Sequence, residues 1–232
     1  AVPTSMVPGE KLSKTQPFPS KPPAFEMQGL TEGDLIDFTP ELRQEALEVM
    51  ANYDMGPLFN PPIHSDDPAG KIASAMCPGD GGGANINNPP VADPTSGFLY
   101  VTSRKACSWQ RIIPGEEADA RIEAPTGSTF AAFANGSRAR VPRLASGLPY
   151  FKPPYSTLTA YDMNTGDIAF QIPTGETPDR FRNNPALEGI DIGDTGTGNA
   201  ITMVTTANML VYSDMDSDGT TALLYGIDKR TG

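Results

Sequence analysis

The run Cys77-Pro-Gly-Asp-Gly-Gly-Gly-Ala-Asn85 is the densest stretch of unconstrained backbone in this 232-residue chain. Glycines at such density let main chain pass close to something flat or bulky, with an amide such as Asn85 or Asn87 presented to it. A glycine-rich turn into a strand is the plainer reading of the same residues. A phosphate-binding P-loop is excluded, because no Gly-Lys-Ser/Thr follows. Gly79, Gly81 and Ala84 have the spacing of a dinucleotide fingerprint, but Asn85-Ile-Asn-Asn-Pro-Pro90 cannot open the helix that this chemistry needs. Asp214-Met-Asp-Ser-Asp-Gly219 opens like a calcium loop, yet its twelfth position is Tyr225 rather than a bidentate Glu. Strands flank it, so a polar Asp-Gly hairpin is the favoured reading and no metal ligand is assigned. Cys77 and Cys107 are compatible with one disulfide in an oxidising compartment, although sequence leaves the pairing open. His64, the single histidine, reads as a loop or surface residue. With one His and two Cys, a structural zinc site is not expected. Arg138, Arg140 and Arg143 read as a solvated loop face, and Asn135-Gly-Ser137 has the pattern of a glycosylation acceptor.

The elements that must position these residues are mostly strands. The chain carries 23 glycines and 24 prolines, which argues against a helical bundle and for short strands joined by turns. Hydrophobic residues make up 38%, too many for a disordered chain. With 28 acidic against 17 basic residues the net charge is −11, which disfavours nucleic acid as a partner. No run of about 18 apolar residues occurs, so no transmembrane segment is expected. Residues 1–30 form a Pro-rich extended segment, whose Phe18, Phe25 and Met27 suggest contact with a surface. Residues 31–55 form a helical insertion. Within it Thr39 caps, Pro40 occupies the first helical position, and Leu42, Ala46, Val49, Met50 and Tyr53 share one face.

From residue 85 onward the pattern becomes strand, tight turn, strand. The frame Ala160-Tyr-Asp-Met-Asn-Thr-Gly166 recurs as Gly226-Ile-Asp-Lys-Arg-Thr-Gly232. Each repeat can be written as four strands, A to D. Residues 85–172 make a first blade with a long insertion at 104–154, and residues 199–232 make an incomplete next blade. The expected fold is all-β: a partial β-propeller of about two four-stranded blades with a short helical insertion. A ring closes with roughly four to eight blades, and residue 1 is Ala, so the chain is expected to be a fragment of a longer protein.

Several segments, in order, resemble the pyrroloquinoline quinone (PQQ)-dependent dehydrogenases of the glucose and alcohol branch. "GGANINNPPVADPTSGFLYVTSRKAC" is similar to their Gly-Gly-x-Asn-Trp segment and the Asp-Pro-x-Thr-Gly turn after it. "SKTQPFPSKPPAF", "LTEGDLIDFTPELRQEAL" and "GPLFNPPI" resemble the stretch that precedes it. "LTAYDMNTGDIAFQIPTGETP" resembles the propeller docking motif, with Phe170 at its Trp position. "RNNPALEGIDIGDTGTGNAITMV" resembles the start of a late blade. The resemblance implies an eight-bladed ring with PQQ and Ca²⁺ on its axis and a periplasmic location. It also implies oxidation of an alcohol or sugar hydroxyl, with electrons passed to a quinone or cytochrome. Asn85 matches the cofactor-contacting Asn, with Ile86 at the Trp that follows, and Asn199 matches the late-blade turn facing the same axis. The general base Asp and a cofactor-binding Lys of the family come from earlier blades, so no catalytic residue is assigned here. The competing expectation is a non-catalytic propeller scaffold that binds protein partners.

Overall fold

The computed structural model describes residue 4 and residues 9–11, 13–84, 86–115, 130–133 and 141–232. Helix α1, Pro40–Met50, starts where the sequence places it. The Thr39 side chain accepts a hydrogen bond from the Leu42 backbone N–H at 3.1 Å, and proline at the first position gives up no helical hydrogen bond. A turn of 3-10 helix at Glu32–Asp34 precedes it, with Thr31 N–H held by the Asp34 carboxylate at 2.8 Å.

Strands follow in the order β1 Ile63–His64, β2 Ser74–Met76, β3 Val91–Asp93, β4 Phe98–Arg104, β5 Ser108–Pro114, β6 Phe130–Phe133, β7 Ser156–Asp162, β8 Asp167–Pro173, β9 Met203–Thr205, β10 Met209–Met215 and β11 Ala222–Asp228. They make three sheets. The order β3-β4-β7-β8 is antiparallel throughout and forms one four-stranded blade. The order β9-β10-β11 gives three strands of a second. This is the strand-rich, partial-propeller architecture expected from the repeat.

A third sheet lies within and before the insertion. Strand β5 pairs with β2 antiparallel, with β1 parallel and with β6 antiparallel. The segment between the second and third strands of the first blade therefore carries structure of its own.

Burial explains the strand patterns. In the central strand β7, Ser156 to Tyr161 are buried without alternation, as expected when both faces of a sheet are covered. The outer strand β8 alternates between exposed and half-buried residues. The Asp-x-x-x-Gly turns share one construction. Gly97 and Gly166 take positive φ, +75° and +72°, and donate to the carbonyls of Asp93 and Asp162 at 2.9 and 2.7 Å. Only glycine adopts that conformation without strain, and each Asp side chain takes the next free N–H in the turn.

Among the described residues two apolar clusters result. One joins α1 to the third sheet, with Leu42, Ala46, Met50 and Tyr53 packed toward Ala75, Trp109 and Tyr150. The other lies between the blades and contains Tyr100, Leu158, Ala160, Met203, Leu210 and Tyr212, with Phe170 packed against it. The phenylalanine at the docking position thus still contributes area to the contact between blades.

At the turn end of that contact, the Lys229 ammonium meets the Asp93 carboxylate, both residues being 7% exposed. Lys229 Nζ also donates to Thr206 O at 2.9 Å, and Tyr100 OH donates to Lys229 O at 3.0 Å. Lys229, then Ser96, hold the Asp93 carboxyl down at about 2. A carboxyl whose pKa is lower in the folded chain stabilises above its ordinary titration range. That contribution is lost as pH falls through about 2. Melting temperatures measured from pH 5 to pH 2 are expected to fall less steeply in Asp93→Asn than in the wild type. Parallel curves would show that the pair carries no pH-dependent stability.

Candidate functional site

The end of the blades opposite these turns collects the starts of β3, β7 and β9 and the ends of β4 and β8. Two loops meet there. The Gly-rich run is fixed from below by a disulfide between Cys77 and Cys107, with Cα atoms 4.5 Å apart. Gly79 N donates to Ala106 O at 2.8 Å, and a Cβ on Gly79 or Gly82 would overlap the backbone of residues 106–108. Two of the glycines are therefore required by packing of the run against its own neighbour. Gly81 differs, since its Cβ direction meets nothing within 4 Å. Asn88 is buried and its amide donates to Gly83 O at 3.0 Å and Thr102 O at 2.9 Å, which anchors the far end of the run. Ile86 is 94% exposed. Asn85, the first cofactor-contacting residue expected from sequence, lies outside the described residues.

The second loop is Gly196-Thr-Gly-Asn199. A Cβ on Gly196, at φ +71°, would stand 2.6 Å from Ser156 O, so this turn packs against the start of β7. Gly198 N donates to Ser156 Oγ at 3.0 Å. Asn199 is exposed, and its amide donates to Asp214 Oδ1 at 2.8 Å. Asp214 is 6% exposed and also accepts from Thr197 Oγ1 at 2.6 Å and Met215 N at 2.7 Å. This buried carboxylate fixes the plane of the Asn199 amide and the conformation of the loop. Sequence reasoning favoured a polar Asp-Gly hairpin here over a calcium loop; the hairpin joins β10 to β11, and the Asp214 side chain is turned to the late-blade turn. Asp216 and Asp218 instead accept from Thr220 and Thr221 backbone N–H groups at 2.8 to 3.1 Å. The Thr221 N–H is the first cause that holds the Asp216 carboxyl at about 2. Among the described residues no group of three or more His, Cys, Asp or Glu side chains is placed to hold a metal ion.

The segments that follow the two loops touch. Thr202 Oγ1 donates to Asn87 O at 3.1 Å, and Thr102 Oγ1 donates to Ile201 O at 3.3 Å. The structure thus brings the Gly-rich run and the turn before Asn199 to one edge of the blades. The side chains there suit a flat polycarboxylate: an oriented amide, open space beside Gly81, and exposed apolar surface at Ile86. They do not suit a divalent cation. Beside this edge Tyr155 is buried, and burial raises its phenol well above the ordinary range, so it stays neutral.

Other candidates fall elsewhere. His64 lies in β1, where its Nδ1 accepts from Asp66 N at 3.1 Å. The Asn135–Ser137 acceptor and the guanidinium groups of Arg138 and Arg140 lie outside the described residues. An apolar groove of about 710 Å³ runs beneath the Pro-rich segment and is lined by Phe18, Phe25, Leu99, Val101 and Tyr161. It lies on the face of the first blade that turns away from the second, and carries none of the polar groups described above.

Comparison with known proteins sets this edge in context. The family model of the PQQ-type glucose/ethanol/alcohol dehydrogenase β-propeller domain matches residues 1–232. A quinate/shikimate dehydrogenase (quinone) of Acinetobacter baylyi is 31% identical over 184 residues, 75% of this chain and 22% of that protein. A probable quinate dehydrogenase (quinone) of Xanthomonas campestris pv. juglandis is 27% identical over 178 residues, 73% of this chain and 22% of that protein. The chain spans about a fifth of the length of these curated relatives.

Proposed function

Since this chain belongs to the PQQ-type glucose/ethanol/alcohol dehydrogenase propeller family, we propose that it is a section of a PQQ-dependent oxidoreductase acting on a hydroxyl group. The observation that carries this reading is that the segments just after the Gly-rich run and the late-blade turn meet at one edge, through Asn87 and Thr202. When bound, PQQ supplies a two-electron acceptor for the hydroxyl carbon. The chain's own part is to hold and orient. The disulfide and Asn88 fix the run, and Asp214 fixes the plane of the Asn199 amide. The rigidity of both loops limits the reorganisation that binding demands.

The substrate class is an alcohol, a sugar or a cyclic hydroxy acid, the last because both relatives are named for quinate. The acceptor is a quinone, as in the names of those relatives, with a cytochrome as the other family expectation. The location is periplasmic. Ca²⁺ is bound mostly by residues outside this chain and the general base lies outside it as well, and no carboxylate described above takes either role. The test is turnover by the full-length protein loaded with PQQ, with short alcohols, aldoses and quinate offered in turn and a quinone as acceptor. Reduction of the quinone with one of these classes is the expected result. Saturable PQQ binding with no turnover on any class would mark a cofactor-retaining but non-catalytic relative. Absence of binding would leave a scaffold propeller.

A further inference from the structure

Arg104 ends β4 at the same edge. Its register partner across the sheet is Ser156, and paired residues in antiparallel strands present side chains to one face. Ser156 uses that face to accept from Gly198 N at 3.0 Å, and Thr102, two residues before Arg104, uses it to reach Ile201 O. The intervening Ser103 points the other way, to Glu26 at 2.9 Å. Arg104 therefore stands on the face that carries the late-blade turn. Its backbone is bridged to the Gly-rich run, with Gly83 N donating to Arg104 O at 2.8 Å and Arg104 N to Gly83 O at 3.2 Å.

Arg104 is exposed, and its guanidinium has no hydrogen-bond or ion-pair partner among the described residues. The neighbouring cations are engaged. Lys105 Nζ donates to Lys152 O at 2.9 Å, and Lys152 pairs with Asp37 at 2.7 Å. A permanently charged planar fork, left unpaired between two loops of a chain with net charge −11, is matched by a carboxylate, which it can hold through two parallel N–H donors. We infer that Arg104 binds a carboxylate of the ligand seated between these loops. This rests on the proposed function, and the carboxylate belongs either to the cofactor or to an acidic hydroxy substrate.

The two sources are separated by equilibrium binding to the full-length protein, as wild type, Arg104→Gln and Arg104→Lys. PQQ is titrated first. Quinate and a neutral cyclic diol are then titrated into the PQQ-loaded protein. Loss of one charge-assisted carboxylate contact corresponds to roughly a 10- to 100-fold weaker Kd. If the cofactor supplies the group, Arg104→Gln weakens PQQ by that factor and Arg104→Lys by less. If the substrate supplies it, PQQ affinity holds while quinate weakens and the diol does not. Both variants should melt within about 1 °C of the wild type, because an exposed side chain without partners is replaced. PQQ and quinate affinities both within twofold of the wild type in Arg104→Gln would overturn the inference while leaving the proposed function standing. A wild type that binds no PQQ would overturn both.

Discussion

Trp109→Ala is expected to cost the protein about 3–5 kcal/mol, the range for removing a large buried aromatic side chain. Trp109 is 1% exposed. Tyr53 packs edge-on against it at 4.7 Å between ring centroids, and Tyr150 at 5.7 Å, so the indole sits between the end of the helical insertion and the segment that returns to the first blade. Its Nε1–H donates to Tyr150 OH at 3.2 Å. Truncation removes the dispersion contacts, opens a void that neighbours fixed by helix and sheet close only partly, and strips a hydrogen bond from a buried phenol. Trp109→Phe keeps most of the area and loses the hydrogen bond, and should cost about 1–2 kcal/mol. Urea unfolding of the three proteins checks the order. A loss below about 1 kcal/mol in Trp109→Ala would show that the cluster around the helical insertion is not cooperative with the fold.

Replacing Cys77 and Cys107 together by serine is expected to cost about 3–4 kcal/mol. The disulfide closes a loop with a sequence separation of 30 residues, and the loop-entropy relation gives that size. A second effect is specific to the place. The disulfide ties the start of the Gly-rich run to the residues just after β4, where Gly79 and Gly82 lie against backbone. Without it, a segment rich in glycine regains conformational freedom that ligand binding must then remove, so PQQ affinity should fall along with stability. Equal melting temperatures for the double serine variant and the wild type would contradict the first expectation. An unchanged PQQ Kd would contradict the second.

Much of the fold was legible because it is encoded locally. Thr39-Pro40 and the apolar spacing after it specify the start and the buried face of α1. Asp93, Asp162 and Asp228 mark the ends of strands because each stands at the head of a turn closed by a glycine. What was not legible depends on distant partners. Strand β5 reads as part of a long insertion, since its pairing with Ser74–Met76 and Ile63–His64 has no counterpart in local pattern. The buried Asp93–Lys229 pair joins turns of different blades, and each residue alone looks like an ordinary turn residue. At the candidate site, resemblance pointed to Asn199, and the structure adds what holds it. The run from Asp214 has the spacing that opens a cation loop, but the favoured reading was a polar hairpin, and a hairpin is what joins β10 to β11. Spacing does not reveal that the first side chain of the set points inward while the next two serve the backbone of their own hairpin. Arg104 was silent for a similar reason, because the absence of a partner is visible only when the neighbouring strands and loops are in place.

The central claim is that the Gly-rich run and the late-blade turn jointly form the cofactor edge. Equilibrium titration of PQQ into the full-length protein, in the presence of Ca²⁺, tests it most directly when Asn199→Ala is measured beside the wild type. The account predicts saturable binding at micromolar cofactor or below by the wild type, and roughly tenfold weaker binding by Asn199→Ala, together with a lower melting temperature because buried Asp214 loses a donor. The wild type failing to saturate, or Asn199→Ala binding as tightly as the wild type, would contradict it.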